Sequence, residues 1–154
     1  MNNPKEILDL AYQRLDEAVL LCEHGRYDGA FYLAGYSVEL ALKARICNNI
    51  GLPALFDEDK DNEINKISSV GEVRRFLKTH NLTTLLIISG LKAKFEKNKA
   101  REKEFANAGA LLFNDWNEKT RYKHRGHADK KNVKKLISLL SDNTHGLLKW
   151  IEQS

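Results

Sequence analysis

A run of eighteen residues near the front of the chain, Ala30 to Cys47 (AFYLAGYSVELALKARIC), constrains the fold more than any other stretch. Its charged side chains are Glu39, Lys43 and Arg45, and no Pro interrupts it. At 3.6 residues per turn, Phe31, Ala34, Gly35, Val38 and Leu42 fall on one face and Leu33, Leu40, Ala44 and Cys47 on the adjoining one. A helix apolar on most of its circumference needs neighbours on several sides, so this spacing predicts the centre of a bundle. The rival reading is a membrane span. Three charges in so short a run argue against it, because each costs about 2.5 to 3.5 kcal/mol at the bilayer middle.

The remaining segments supply the neighbours. Asn3-Pro4-Lys5-Glu6 reads as a helix start, with an N-cap, Pro at the first helical position and Glu three residues after the cap. Ile7, Leu8, Ala11, Leu15, Ala18, Val19 and Cys22 then recur at helical spacing until His24-Gly25 supplies a stop. Few residues separate this helix from the central one, with Asp28 as the expected cap, so the two should form an antiparallel hairpin. Gly51 and Pro53 end the central helix. They open a polar excursion to about Ser69, with at most a helical turn near Ile64 and Ile67. A short helix is expected from Gly71 to Thr79 and another apolar one around Leu82, Leu85, Leu86 and Ile88. Beyond them, one long helix is expected from Leu91 to Phe113, with a break near Asn98 as an option. Asn117 to His127 lacks periodicity and should be an irregular crossing. Asp129 caps a last helix whose stripe runs from Val133 to Ile151. The expected fold is therefore all-α: an up-and-down bundle of four to five main helices in a single domain over residues 1–154.

The composition, 42% hydrophobic and 30% charged, is that of a soluble globular chain. Without a basic-then-apolar leader, a cytoplasmic location is expected. Cys22 and Cys47 both fall in apolar helical patterns and read as buried thiols, and no zinc-ligand spacing, phosphate-binding glycine loop or Ser or Cys nucleophile motif is present. No metal or cofactor is expected.

The net charge of +4 is unevenly placed. Between Lys119 and Lys135 there are eight basic residues and a single acid, Asp129, a net +7, so the rest of the chain sums to −3. Lys123, Arg125, Lys130, Lys131, Lys134 and Lys135 are candidates for binding nucleotide or RNA phosphate; the alternative is a solvated surface. Within the same stretch, Arg121-Tyr122-Lys123-His124-Arg125-Gly126-His127 joins a side chain that grips phosphate bidentately to one that exchanges protons near neutrality. Arg121 as phosphate clamp and His127 as proton-transfer group would suit metal-independent cleavage of an RNA phosphodiester. Glu39 has two readings. In one it forms a surface stripe with Lys43 at i+4; in the other it is partly buried and held by a distant cation, for which Arg121 is nominated. Trp116 and Tyr122 read as anchors of the polar core or as a platform for a base. His24 and His80 fall at helix ends as caps, and His145 lies within the last helix.

The combination of Tyr27-Asp28-Gly29-Ala30 opening a helix that continues Tyr32-Leu33-Ala34-Gly35-Tyr36-Ser37-Val38-Glu39-Leu40-Ala41-Leu42-Lys43-Ala44, then Thr79-His80-Asn81-Leu82, then Trp116 followed by Arg121-Tyr122, resembles the HEPN domain (higher eukaryote and prokaryote nucleotide-binding). The resemblance implies an all-α bundle that often dimerises. Its members act as metal-independent RNases in toxin–antitoxin and defence systems, as noncatalytic partners of minimal nucleotidyltransferases, or as nucleotide-binding accessories. RNase members carry an Arg and a His with four to six residues between, which Arg121 and His127 match. They commonly place a polar residue after the Arg, where this chain has Tyr122. That departure makes it look more like the nucleotidyltransferase-associated or stand-alone branch, in which Arg121 would be structural and paired with Glu39. The expectation is a noncatalytic, dimer-forming domain that binds nucleotide or RNA and works with a partner, with the metal-independent endoribonuclease as the rival.

Overall fold

In the computed structural model, which describes residues 3–52, 55–56 and 68–154, the Asn3 side chain accepts the amide of Glu6 at 3.0 Å and opens α1, Pro4–Glu23. His24 ends it, its ring nitrogen Nδ1 lying 2.8 Å from the Leu20 carbonyl, and Gly25 turns the chain with φ +74°. The central helix α2, Tyr27–Ile50, starts two residues later and packs along the length of α1 as an antiparallel hairpin. Ala30, Phe31, Ala34, Gly35, every residue from Ser37 to Ala44, Ile46 and Cys47 are buried, so the helix is enclosed on nearly all sides.

Short helices enclose it: α3, Ser68–Leu77; α4, Leu82–Ile88; α5, Lys92–Arg101; α6, Lys103–Gly109; α7, Lys130–Ser141; and α8, Leu147–Gln153. Between α6 and α7 lie a π-helical turn, Ala110–Asp115, and a 3-10 turn, Glu118–Tyr122. α4, α7, α8 and the 3-10 turn all contact α2. The described residues hold eight α-helices, which are the six helical segments of the sequence pattern, main and short together, with both long late ones divided. The first breaks at Glu102, which turns extended (φ −123°, ψ 115°), and not near Asn98. The second breaks at Asp142, whose carboxylate accepts the amides of Thr144 and His145 at 2.8 Å each. That turn competes with the helix for the same amides. His145 therefore sits in a turn and not in a helix. Gly146 follows where a Cβ would come within 2.3 Å of the Asp142 carbonyl oxygen.

Between α2 and α3 the excursion is described at Gly51, Leu52, Leu55 and Phe56. Leu55 and Phe56 are buried, and the Leu55 carbonyl accepts the buried Arg74 Nε at 2.9 Å. Pro53 and the expected turn near Ile64 and Ile67 lie outside the described residues.

One contact fixes the crossing chain on the central helix. Trp116, buried, lies flat where residue 35 has no side chain: a Cβ on Gly35 would stand 2.2 Å from the indole Nε1. That nitrogen donates to the Tyr32 carbonyl at 3.0 Å. Gly35→Ala is therefore expected to destabilise the fold by about 1 to 3 kcal/mol through overpacking. Urea unfolding measures the loss, and a red shift of tryptophan emission reports the displaced ring.

Candidate functional site

The candidate residues converge on the first turns of α2. Asp28 and Tyr32 stand one turn apart on the same edge, about 6 Å along the axis. Asp28 was expected to cap the helix. The N-cap is Arg26, and the Asp28 carboxylate instead reaches across the sequence to accept the amides of Gly126 at 2.7 Å and Ala128 at 3.0 Å. Gly126 has φ +83°, a left-handed turn suited to glycine. Burial by itself raises the Asp28 carboxyl. The two amides and the charges of His127 and His124 outweigh it and hold the group below the usual carboxylate range. His127 lies within this clamp: its Nε2 is 3.7 Å from Asp28 Oδ1, its ring meets Phe31 edge-on at 6.3 Å, and its side chain is 9% exposed.

The next position up the edge belongs to Arg121. The 3-10 turn that carries it is closed by a reciprocal cap, in which Asn117 Oδ1 accepts the Lys119 amide at 2.8 Å and Thr120 Oγ1 accepts the Asn117 amide at 3.0 Å. Arg121 itself is exposed, and its guanidinium carbon lies 4.8 Å from the centre of the Tyr122 ring. Interaction with Tyr122 first, then Tyr32, holds its pKa above the ordinary value. Tyr32 stacks on Trp116 at 6.1 Å and on Tyr36 at 6.4 Å. Arg121 and His127 are thus distributed along one helix edge, at Tyr32 and at Asp28, each with its own neighbours.

Four expectations are overturned here. Tyr122 is not part of a polar core but 74% exposed. Arg121 does not hold Glu39. Glu39, 1% exposed, receives Lys43 Nζ at 2.7 Å from the next turn of its own helix and lies 2.8 Å from His80 Nδ1. The i+4 pair is therefore present but buried, not on the surface: the Phe56 ring lies 5.3 Å from Lys43 Nζ. With buried Lys43 and half-exposed His80 both on the same oxygen, the carboxylate has no need of a distant guanidinium. His80 is not a helix-end cap either, since the Asn81 side chain caps α4 through the Thr84 amide at 3.0 Å. Instead His80 passes from Glu39 to Glu118, 3.4 Å from its Nε2, linking the core to the turn that bears Arg121.

Lys123, Arg125, Lys130, Lys131, Lys134 and Lys135 are all exposed, and among the described residues none of them is in an ion pair. Asp129 caps α7 through the Asn132 amide at 2.9 Å, with no acid in the first turn. The four lysines therefore add to the positive end of the helix dipole. On one flank Lys134 and Lys135 border a groove of about 630 Å³ shared with Glu102, Glu104 and Asp142. Lys134 and Lys135 thus stand near carboxylates across this groove, while Lys123, Arg125, Lys130 and Lys131 are not among the residues that line it. Among the described residues no group of three or more His, Cys, Asp or Glu is arranged to hold a metal ion, and no helix is long and apolar enough to cross a membrane.

Sequence reasoning missed His80 and Tyr32 as members of the site. Both act through partners far along the chain, and their only local signal is membership of the Thr79-His80-Asn81-Leu82 and Tyr27–Ala44 runs. Residues 5–54 match the family model of the HEPN domain. That span is α1, α2 and their exit, so Arg121 and His127 lie beyond it. No curated protein and no solved structure matches.

Lys43→Ala is expected to cost about 3 kcal/mol by leaving Glu39 buried with half its partners, whereas Arg121→Ala should leave the melting temperature unchanged. Paired thermal melts decide between them. For Asp28 the folded pKa is the depressed one. Its contribution is thus present above the ordinary carboxylate value of about 4 and lost as pH falls through the folded value. Protection of the Gly126 and Ala128 amides from hydrogen exchange, taken relative to the unstructured rate at the same pH, should fall on that acidification, and already at neutral pH in Asp28→Ala.

Proposed function

We propose that this chain, whose first hairpin is that of a HEPN domain, binds nucleotide or RNA phosphate through the basic corner from Arg121 to Lys135 and acts with a partner protein, without chemistry of its own. The observation that carries the reading is the group of six exposed cations around the start of α7 that are in no ion pair among the described residues. Such an arrangement is costly to folding because the lysines repel each other and the helix end. A polyanion relieves both. The small exposure of His127 and its place against Asp28 and Phe31 support a pin for the loop more than an accessible base. A homodimer, a minimal nucleotidyltransferase as partner and a cytoplasmic location belong to the same proposal, while a toxin–antitoxin or defence role belongs to the endoribonuclease reading below.

Neutralising Lys130, Lys131, Lys134 and Lys135 to Ala should abolish most RNA affinity and flatten its dependence on the logarithm of salt by up to about 3, each phosphate contact contributing about 0.7 on a single strand. Fluorescence anisotropy over a salt series reads both. Unchanged affinity in that variant would refute the proposal.

The endoribonuclease is the second reading. The observation that favours it is the common helix edge shared by Arg121 and His127, with the Asp28 carboxylate beside the imidazole. In such a reaction the 2′-hydroxyl attacks phosphorus and gives its proton to His127. The bond from phosphorus to the 5′-oxygen then breaks to leave a 2′,3′-cyclic phosphate, the 5′-oxygen takes the proton back from the His127 imidazolium and departs as an alcohol, and Arg121 offsets the charge on the phosphoryl oxygens. Incubation of the purified protein with RNA in EDTA separates the readings. No cleavage is expected. Cleavage that disappears in a folded His127→Ala variant would establish the enzyme instead.

A further inference from the structure

A solvent-facing aromatic residue is ordinary when it hangs on a mobile loop, because ordering it against a ligand then costs conformational entropy. Tyr122 is not placed that way. The turn it ends is fastened at three points: the Trp116 indole to the Tyr32 carbonyl, the Asn117 and Thr120 reciprocal cap, and Glu118 to His80 and so to Glu39. Thr120, between these fastenings, is 1% exposed, while Tyr122 two residues on is 74% exposed. The Arg121 guanidinium lies over the Tyr122 ring and reaches Tyr32, which continues the stack to Trp116 and Tyr36. The turn is thus fixed while the ring it carries stands open to solvent with a cation against it, and Lys119, Lys123 and Arg125 are its neighbours in the sequence.

Resting on the phosphate-binding reading above, we infer that Tyr122 and Arg121 form a single-nucleotide subsite for single-stranded RNA. An unpaired base stacks on the open part of the Tyr122 ring, and Arg121 holds the phosphate of the same or the adjoining nucleotide. Base stacking on an aromatic ring requires an unstacked base, which a duplex does not offer. The lysines of α7 see only backbone charge and accept either form. The subsite therefore gives the basic corner its preference for single strands.

The test compares an unstructured RNA dodecamer with the same sequence in a duplex, measured by fluorescence anisotropy at one salt concentration. Wild type, Tyr122→Phe, Tyr122→Ala and the four-lysine variant are used, with folding checked by circular dichroism. Tyr122→Ala is expected to weaken the single strand about tenfold or more and to leave the duplex within about twofold. Tyr122→Phe, which keeps the ring, should match wild type on both. Single-strand affinity within twofold of wild type in Tyr122→Ala, or equal losses on both forms, overturns the subsite. If the four-lysine variant loses both forms while Tyr122→Ala behaves as wild type, the phosphate reading stands and only the subsite falls.

Discussion

The indole of Trp116 occupies the space left by the missing side chain of Gly35, and the placement of the candidate site follows from that contact. It sets the crossing segment against the amino-terminal half of α2 at a van der Waals separation that any other residue at position 35 would prevent. The hydrogen bond to the Tyr32 carbonyl then orients the ring. A backbone carbonyl within a helix has a second lone pair available, so α2 accepts this bond without losing its own. From that anchor the chain can only run along the helix edge toward Asp28, whose carboxylate receives it ten residues later. Trp116 and Asp28 are thus the two ends of a strap, and the arginine and histidine of interest lie between or beside them.

Beneath the strap the fold carries an internal charge cluster. Glu39 in an apolar helix is acceptable because Lys43 and His80 both address the same oxygen. A buried ion pair of this kind seldom adds net stability over an apolar replacement, but it penalises arrangements that separate its members. Here the members come from α2 and from the turn before α4, with Glu118 at the outer end. The cluster therefore fixes the position of α4 and of the 3-10 turn relative to α2.

The fold class, the hairpin, the caps at Asn3 and Asp129 and the enclosed central helix were legible because each depends on periodicity or on contacts within four residues. Helix breaks were harder to place. Glu102 gives no composition signal, and Asp142 competes with its helix only through a turn that any Asp or Asn could form. The partners of Glu39 illustrate the same limit. Lys43 was visible at i+4, but the sequence could not show that both lie inside, since that depends on Phe56 and on His80, 41 residues away. The basic run was evident by counting, while the outward projection of Tyr122 depends on a turn fastened by residues from three other segments.

The lysines at the start of α7 have a consequence for how the protein is held together when nothing is bound. Four like charges at the electropositive end of a helix leave its first turns poised to fray, and Val133 and Leu136, with Asp129 as the cap, have to resist that. Whatever neutralises those ammonium groups adds its binding free energy to the security of the helix. If the proposed phosphate binding holds, a ligand at this corner would tighten it, with the effect felt at the Ala128 and Asp129 junction, where the helix meets the strap.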